Sequence, residues 1–279
     1  MFDIATVSYR DPDAPAAFAR SLHETGFAVL TDHPITPARI QATYDAWGRF
    51  FASEEKHAFT RAPGGAAGFF PFRSENAKDS AVKDLKEFYH VYADGPVPPA
   101  LEAETRALHA DLVAVGATLL GWLQAESPEA VTARLSEPLT DMLAGSGQNL
   151  LRILHYPAVE TPPEPGAVRA AAHGDINLLT CLLAGSAPGL EARDTQGNWH
   201  RVPCDPGMMA INAGDMLEMA TGGHYPATVH RVVNPEAGDR SARFSMPMFL
   251  HPRPEVVLKP GTTAEAFLNQ RLAEIGLKG

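Results

Sequence analysis

The chain has 279 residues, 45% of them hydrophobic, which is enough to bury a large core in one domain or in a core with a subdomain. Its formal net charge of -10, without any lysine- or arginine-rich stretch, argues against nucleic acid as a partner. The cysteines Cys181 and Cys204 form no CxxC pair, and neither a basic leader nor an apolar run of about 18 residues is present, so we expect a cytoplasmic protein without a membrane partner.

The N-terminal part predicts two helices around a short strand. Apolar residues recur at helical spacing over residues 13 to 25, and Gly26 ends this helix before a strand over residues 27 to 30. Thr36 and Pro37 are typical of the N-cap and first turn of a second helix. The buried face of that helix is expected to carry Ile40, Tyr44, Trp47 and Phe51.

The middle of the chain predicts a loop and then two helices. Residues 61 to 80 combine glycine and proline with aromatic residues, which breaks the helical pattern. Apolar spacing then predicts helices over about 103 to 126 and about 128 to 143.

From Leu150 onward, short β-prone runs alternate with turn residues, as in an antiparallel sandwich or barrel. The runs are Leu150 to Tyr156, Asn177 to Leu183, Leu190 to Arg193, Trp199 to Val202, Met208 to Asn212, Thr228 to Val233 and Arg243 to Leu250. The proline-rich stretch Thr161 to Gly166 is expected to be an exposed connector, and a final helix is predicted over Thr263 to Ile275.

Two His-x-Asp pairs are candidates for metal binding. On a strand such a pair places both side chains on one face, because strand side chains alternate with a period of two. The pair His109 and Asp111 lies in a helical pattern, where residues two apart point about 200° around the axis and cannot share a metal ion. The pair His173 and Asp175 encloses Gly174, which would permit close backbone approach, and precedes a rigid apolar strand.

A third ligand is needed, and three histidines of the C-terminal half are candidates. His224 lies in a glycine turn, and His251 precedes a proline near the chain end, whereas His230 opens a β-prone run and is the best placed. From the residues alone, one alternative stays open. It is a turn in which Asp175 caps a helix and His173 is merely half-buried.

Further motifs match one protein family along nearly the whole chain and in that family's order. They are Glu24 to Leu30, Arg49 to Phe51, Asp84 to Val91, His155 to Pro157, His173 to Asp175, Pro188 to Glu191, Asn212 to Leu217, His230 to Pro235 and Arg243 to Ser245. With these motifs the chain resembles the isopenicillin N synthase-like branch of the iron(II)- and 2-oxoglutarate-dependent oxygenases. The resemblance implies an α+β fold, with a double-stranded β-helix (jelly-roll) core, flanking helices and an N-terminal helical or mixed region.

The resemblance also implies a division of the chain and a set of cofactors. We expect an N-terminal dioxygenase region over residues 1–100, a helical support over 101–145 and the oxygenase core over 146–279. The catalytic and metal-binding residues are then His173, Asp175 and His230, which would bind iron(II), with 2-oxoglutarate and O2 as co-substrates.

An Arg-x-Ser pair, Arg243 and Ser245, is implied to bind the distal carboxylate of 2-oxoglutarate. Residues two apart on a strand face one way, and a guanidinium offers a planar fork to a carboxylate while the hydroxyl adds a donor. Tyr156 matches a tyrosine that often contacts the same co-substrate, although buried tyrosines also simply fill cores. Where plant members often carry an asparagine, this chain has Leu154, and we expect Arg152 to complete the pocket.

The implied activity is oxidation of a small-molecule substrate, most commonly hydroxylation, with release of succinate and CO2. Two alternatives stay open: a non-haem iron oxidase of the same branch that does not use 2-oxoglutarate, and a catalytically silent iron/2-oxoglutarate-binding protein. The substrate, the choice between hydroxylation, desaturation and ring closure, and the oligomeric state are not readable from the sequence.

Side chains of the substrate pocket are expected in the glycine-rich loop and in the matched segment that follows it. The candidates are Phe69, Phe70, Phe72, Arg73, Phe88 and His90. The alternative for these aromatic residues is ordinary core packing.

Overall fold

The computed structural model describes residues 2–74, 83–158, 168–234 and 241–274. Helices lie outside a core of two facing β-sheets. The helices are α1 (Ala14–Thr25), α2 (Pro37–Ala52), α3 (Glu102–Glu126), α4 (Glu129–Thr132), α5 (Leu139–Leu143), α6 (Asp215–Thr221) and α7 (Ala264–Glu274), and a 3-10 helix spans Glu54–Phe59.

The strands follow the β-prone runs of the sequence, but several were not predicted, both in the N-terminal part and, for β6, β13 and β14, in the C-terminal half. They are β1 (Thr6–Ser8), β2 (Phe27–Thr31), β3 (Gly68–Phe70), β4 (Glu87–Val91), β5 (Leu150–Tyr156), β6 (Ala170–His173), β7 (Leu179–Leu183), β8 (Leu190–Arg193), β9 (Trp199–Arg201), β10 (Met209–Ala213), β11 (His230–Val232), β12 (Arg243–Leu250), β13 (Val257–Lys259) and β14 (Thr262–Thr263).

The larger sheet has eight strands in the order β1-β2-β10-β7-β12-β5-β4-β3, and the smaller has four in the order β6-β11-β8-β9. Among the described strands of these two sheets, only the β1–β2 pair is parallel. The sheets share a core, in which Phe27, Val29 and Ala210 of the larger sheet pack with Leu190 and Val232 of the smaller. The expected α+β jelly-roll core with flanking helices is therefore confirmed.

The two N-terminal helices form where the sequence predicts them. Gly26 has a φ of 71°, which favours glycine, and its N–H donates to the carbonyl of Leu22, so α1 ends there. The Thr36 hydroxyl accepts a hydrogen bond from the Arg39 N–H at 3.3 Å and begins α2.

Other predicted elements differ from the structure. The helix predicted over 128 to 143 is wrong, because α4 and α5 are separate short helices that begin directly after Pro128 and Pro138. The loop predicted over 61 to 80 contains strand β3, and α6 was not predicted. The connector over 161 to 166 and the last residue of the predicted C-terminal helix lie outside the described residues.

The long helix α3 confirms the helix predicted over about 103 to 126. Its length and apolar composition would allow it to cross a membrane, but such helices also occur in protein cores. Here 44% of its most apolar 18-residue stretch is buried inside the protein. Its buried positions include Leu112 and Leu119, which belong to the main core together with Leu250 of β12. Helix α3 therefore supports the outer side of the strand that begins with Arg243.

Side chains of the larger sheet alternate between an outer face, toward the helices, and an inner face, toward the smaller sheet. Phe69 and Tyr89 belong to the main core on the outer face. Phe70 and Phe88, one residue along each strand, pack on the inner face with Tyr156. The register of β5 with β12 puts the Arg243 side chain on this inner face as well, opposite Tyr156.

Two glycines of α3 test how tightly the helix packs on β12. A Cβ atom built on Gly116 would lie 2.0 Å from a methyl carbon of buried Leu250, whereas one on Gly121 would meet only a Thr140 methyl group at 3.7 Å. We expect Gly121→Ala to raise the free energy of unfolding by about 0.5–1 kcal/mol, because glycine is a poor helix former. Gly116→Ala should lower it by about 1–3 kcal/mol, because it overfills the core.

Urea denaturation of the two single variants measures both changes under one set of conditions. Stabilisation by both substitutions would mean that Leu250 moves aside without cost, contrary to the tight packing described.

Candidate metal centre

Three side chains that can ligate a metal converge at one end of the two sheets. His173 ends β6, Asp175 follows two residues later, and His230 begins β11 directly opposite His173. The Nε2 atom of His173 lies 3.9 Å from one oxygen of Asp175, and that of His230 lies 3.8 Å from the other. All three ligand atoms lie within 4.8 Å of one another, so one metal ion can reach them all.

Hydrogen bonds to backbone carbonyls orient both imidazoles. The Nδ1 atom of His173 donates to the Ala171 carbonyl at 2.7 Å, and that of His230 donates to the Thr228 carbonyl at 3.1 Å. A carbonyl can only accept, so Nδ1 of each ring carries a proton and Nε2 is the atom that each ring offers to the centre. Burial, followed by the neighbouring His230, lowers the pKa of His173 to about 4, although 40% of its side chain is exposed. Near neutral pH the His173 ring is therefore neutral, as a metal ligand requires.

The carboxylate of Asp175 is held by hydrogen bonds inside the protein. Asp175 is 6% exposed, and its Oδ2 atom accepts from the Thr180 hydroxyl at 2.5 Å and from the Asn212 amide at 2.8 Å. Burial alone would raise its pKa, but His230 and His173, together with these two hydrogen bonds, lower the pKa overall. Asp175 therefore offers an ionised oxygen to the centre.

The rejected His-x-Asp pair does not form a site. His109 is buried in α3 and its Nε2 atom bonds the Asn149 carbonyl, while Asp111 is on the surface and pairs with Arg39. The role expected of Gly174 is wrong, since a Cβ atom there would meet its nearest neighbour at an ordinary 3.6 Å.

A buried arginine marks a second part of the site. Arg243 is 2% exposed, and its Nε atom donates to the Ala187 carbonyl at 2.9 Å. Its Nη1 atom is buried and has no hydrogen-bond partner among the described residues. Gly185 leaves room for the guanidinium, because a Cβ atom there would lie 2.6 Å from Nη2. The surroundings of the Arg243 guanidinium, called the Arg243 pocket below, can therefore bind an anionic group with oxygen acceptors.

The other residues expected near the co-substrate fall into two groups. Tyr156 packs against Arg243, with the guanidinium carbon 5.3 Å from the ring centroid, and Ser245 is buried on the same inner face. Arg152 lies farther along β5, where its Nε atom donates to His90 Nε2 at 2.8 Å and its guanidinium carbon lies 4.7 Å from the Phe88 ring centroid.

The aromatic candidates for the substrate pocket separate by sheet face. Phe70, Phe88 and His90 form an inward-facing cluster, with the two phenylalanine rings stacked at 4.4 Å. Phe69 is wrong as a pocket wall, because strand alternation turns it to the outer face, where it is fully buried in the main core. Phe72 is 44% exposed, and Arg73 has a φ of 60° at the following turn.

The sequence did not reveal the hydrogen-bond partners of Asp175. Thr180 and Asn212 belong to β7 and β10, which are neighbours in the larger sheet, and the two residues lie directly opposite each other. Their shared inward orientation follows from strand alternation, but only the register between two strands that are distant in sequence brings them to one carboxylate.

Comparison with known proteins identifies the family. Residues 147–252 match the 2OG-Fe(II) oxygenase superfamily, and residues 2–110 match the non-haem dioxygenase N-terminal region named for morphine synthesis. A crystal structure of an oxygenase from Shewanella oneidensis is 44% identical, covers 98% of this chain and 99% of that chain, and superposes with a TM-score of 0.89.

Two further proteins are similar to this chain, one in sequence and one in fold. The 2-oxoglutarate-dependent dioxygenase 19 of Oryza sativa subsp. japonica is 30% identical over 258 residues, 86% of this chain and 71% of the relative. A full-length Neurospora crassa protein, crystallised in complex with alpha-KG, which is 2-oxoglutarate, covers 96% of this chain and 95% of its own with a TM-score of 0.79. At 23% identity the latter likeness concerns the fold alone.

These matches extend over most of the chain, and the chain has a jelly-roll core with a His-Asp-His cluster. Together they define a non-haem iron oxygenase. The chain belongs to the 2OG-Fe(II) oxygenase superfamily. It is a 2-oxoglutarate-dependent dioxygenase, with iron(II) as its metal and 2-oxoglutarate and O2 as co-substrates, and a small-molecule substrate is consistent with this family.

Phe69 in β3 and Phe72 in the turn after it differ in burial, which predicts different effects on stability. Phe69→Ala should lower the free energy of unfolding by about 3–5 kcal/mol, because it leaves a cavity in the main core. Phe72→Ala, at an exposed position, should change it by no more than about 0.5 kcal/mol. Chemical denaturation measures both changes in the free energy of unfolding. Equally small changes in the two variants would contradict core packing of Phe69 and make it a candidate for the substrate pocket again.

Proposed function

We propose that this dioxygenase hydroxylates its substrate with iron(II) held by His173, Asp175 and His230. The observation that carries the proposal is the convergence of two imidazole Nε2 atoms and one carboxylate within 4.8 Å. Two imidazole nitrogens and one carboxylate oxygen are the donor set of the facial triad that would hold iron(II). The residues present therefore fit the metal of this family.

The chain's own contribution is orientation and charge. Iron(II) bound at these residues supplies the redox chemistry between O2, 2-oxoglutarate and the substrate. His173 and His230 keep their Nε2 lone pairs aimed at the metal because their Nδ1 protons are bound by carbonyl oxygens. Asp175 would partly neutralise a bound dication, and its hydrogen bonds from Thr180 and Asn212 hold the carboxylate in one orientation.

We propose that Arg243 and Ser245 bind the distal carboxylate of 2-oxoglutarate. Burying a cation without a partner is costly, and the Nη1 atom of Arg243 has no hydrogen-bond partner among the described residues. A carboxylate would accept from the planar fork of the guanidinium. Tyr156 supports this arrangement by packing against the guanidinium and limiting its movement.

For the substrate we propose the inward-facing wall formed by Phe70, Phe88 and His90. Arg152 is better assigned to this wall than to the Arg243 pocket, since its side chain contacts His90 and Phe88. An aromatic wall with a cation beside it suits a substrate that has a flat or apolar body and a polar group.

The two alternative activities have less support. The relative from Oryza sativa is named for its dependence on 2-oxoglutarate, which favours this co-substrate over an oxidase that does not use it. A catalytically silent iron/2-oxoglutarate-binding protein would use the same His-Asp-His cluster, but the relative from Oryza sativa is named as a dioxygenase, and succinate release by this chain would separate the two.

We also propose that the chain is organised as an N-terminal region over residues 1–100, a helical support over 101–145 and the oxygenase core over 146–279. The separate family matches over residues 2–110 and 147–252 support this division. A reducing cytoplasm remains our proposal for the location, supported by two cysteines that are both free.

The metal assignment predicts the behaviour of single variants. His173→Ala, Asp175→Ala and His230→Ala should each abolish turnover while the protein remains folded, and Asp175→Ala also removes the anionic ligand. Metal analysis gives iron per chain, and succinate release gives turnover. Asp111→Ala, in the helical His-x-Asp pair, should behave as wild type. Full iron occupancy with wild-type activity in Asp175→Ala would contradict the assignment.

The proposed carboxylate pocket predicts an order of affinities for 2-oxoglutarate. Breaking a buried arginine–carboxylate pair commonly costs about 2–5 kcal/mol, so Arg243→Leu should weaken binding by roughly 30-fold or more. Arg243→Lys should lie between it and wild type, because lysine keeps the charge but loses the planar fork.

Anaerobic titration of the iron(II) protein with 2-oxoglutarate, followed by the metal-to-ligand charge-transfer band, measures this order. Iron affinity serves as the internal control, since Arg243 is not a proposed ligand. Equal 2-oxoglutarate affinity for all three proteins would exclude Arg243 from the pocket.

A further inference from the structure

The strand that carries His173 lies at an edge of the smaller sheet. Strand β6 pairs with β11 on one side only, among the strands that the structure describes. On its other side it meets the segment that leads into β4, where the Leu85 N–H donates to the Val168 carbonyl at 3.2 Å. In the same segment, Oδ1 of Asp84 accepts from the Ala171 N–H at 3.2 Å. A side-chain carboxylate therefore occupies the place that a neighbouring strand would take.

The Asp84 carboxylate is itself held in place by a lysine. Its second oxygen accepts from Lys86 Nζ at 2.8 Å, and both side chains are buried. A buried carboxylate with a cation on one oxygen and a backbone N–H on the other has little freedom to turn. Asp84 is thus a rigid acceptor.

Ala171 connects this acceptor to the metal centre. Its N–H binds Asp84, and its carbonyl accepts the hydrogen bond from Nδ1 of His173. The N–H and C=O of one strand residue point to the same edge, as in the paired bonds of an antiparallel ladder. The Ala171 peptide groups are therefore fixed by Asp84 on the side from which they orient the imidazole.

We propose that Asp84, held by Lys86, is a positioning residue for His173 that strengthens metal binding. The inference rests on the proposed role of His173 as a ligand, and it adds a residue outside the motif that carries the ligands. The chemistry is that of groups behind a metal ligand, whose loss typically weakens metal affinity by about 10- to 100-fold.

The test compares two double variants that differ only in the acceptor. Asp84→Asn/Lys86→Met keeps a side-chain oxygen for the Ala171 N–H, whereas Asp84→Leu/Lys86→Met offers a similar volume without an acceptor. Both remove the charges of Asp84 and Lys86 together, so the two double variants have the same net charge and the same long-range field at the metal. Equilibrium dialysis with Co(II), an air-stable probe of the iron site, gives the dissociation constant.

We expect the leucine double variant to bind Co(II) about 10-fold or more weakly than the asparagine double variant, because only the latter still holds Ala171. Equal affinities for the two would overturn the proposal. The control Asp194→Asn removes the charge of a carboxylate that lies in the turn between β8 and β9 and binds His200 of β9, at the opposite edge of the same sheet. It should lower the melting temperature without changing Co(II) affinity.

The single variant His173→Ala distinguishes a failure of this proposal from a failure of the metal assignment. If His173→Ala binds Co(II) as tightly as wild type, the ligand assignment fails and the positioning role fails with it. If His173→Ala loses Co(II) binding while the two double variants bind alike, the ligand assignment stands and only the role of Asp84 is overturned.

Discussion

Much of this structure depends on keeping one carboxylate ionised inside the protein. A buried charge is costly unless hydrogen bonds and opposite charges surround it, and Asp175 is such a group. The larger sheet supplies one half of its surroundings, since Thr180 and Asn212 lie opposite each other and both bind Oδ2. The smaller sheet supplies the other half by pairing His230 with His173. The centre therefore exists only when both sheets are formed, in register and facing each other.

Register in the larger sheet links the inner pocket to the packing outside it. On the outer face, His155 stacks on Phe244 at 4.6 Å and binds Glu87, which also binds Lys56 of the 3-10 helix. Each of these strand residues is next to an inward-facing one. A slip of one position would therefore turn His155 and Glu87 to the inner face and Arg243 to the outer face, toward the helices. Outer packing that never contacts a co-substrate therefore fixes the direction in which Arg243 points.

The sequence predicts those parts of the site that depend on local periodicity. Strand alternation selects His173 and Asp175 and rejects the helical pair, and motif order adds Arg243. Phe69 was placed among the pocket residues because residues 61 to 80 were predicted as a loop, so strand alternation was not applied to the two adjacent phenylalanines of β3. The contact of Asp84 with the ligand strand could not be predicted, for another reason. Its contact with Ala171 joins segments far apart in the chain, and no local pattern encodes which side chain covers the edge of a strand.

The buried Nη1 atom of Arg243, unpartnered among the described residues, has a consequence for how the protein responds to its surroundings. Since the proposed partner is a carboxylate, the pocket without it contains a desolvated charge that the unfolded chain would expose to water. A ligand that binds only the folded state shifts the folding equilibrium by mass action, by about 2.7 kcal/mol at one hundred times its dissociation constant. 2-Oxoglutarate would then act as a counter-ion of the fold as well as a reactant, and the lifetime of the protein in the cell would follow the supply of that metabolite.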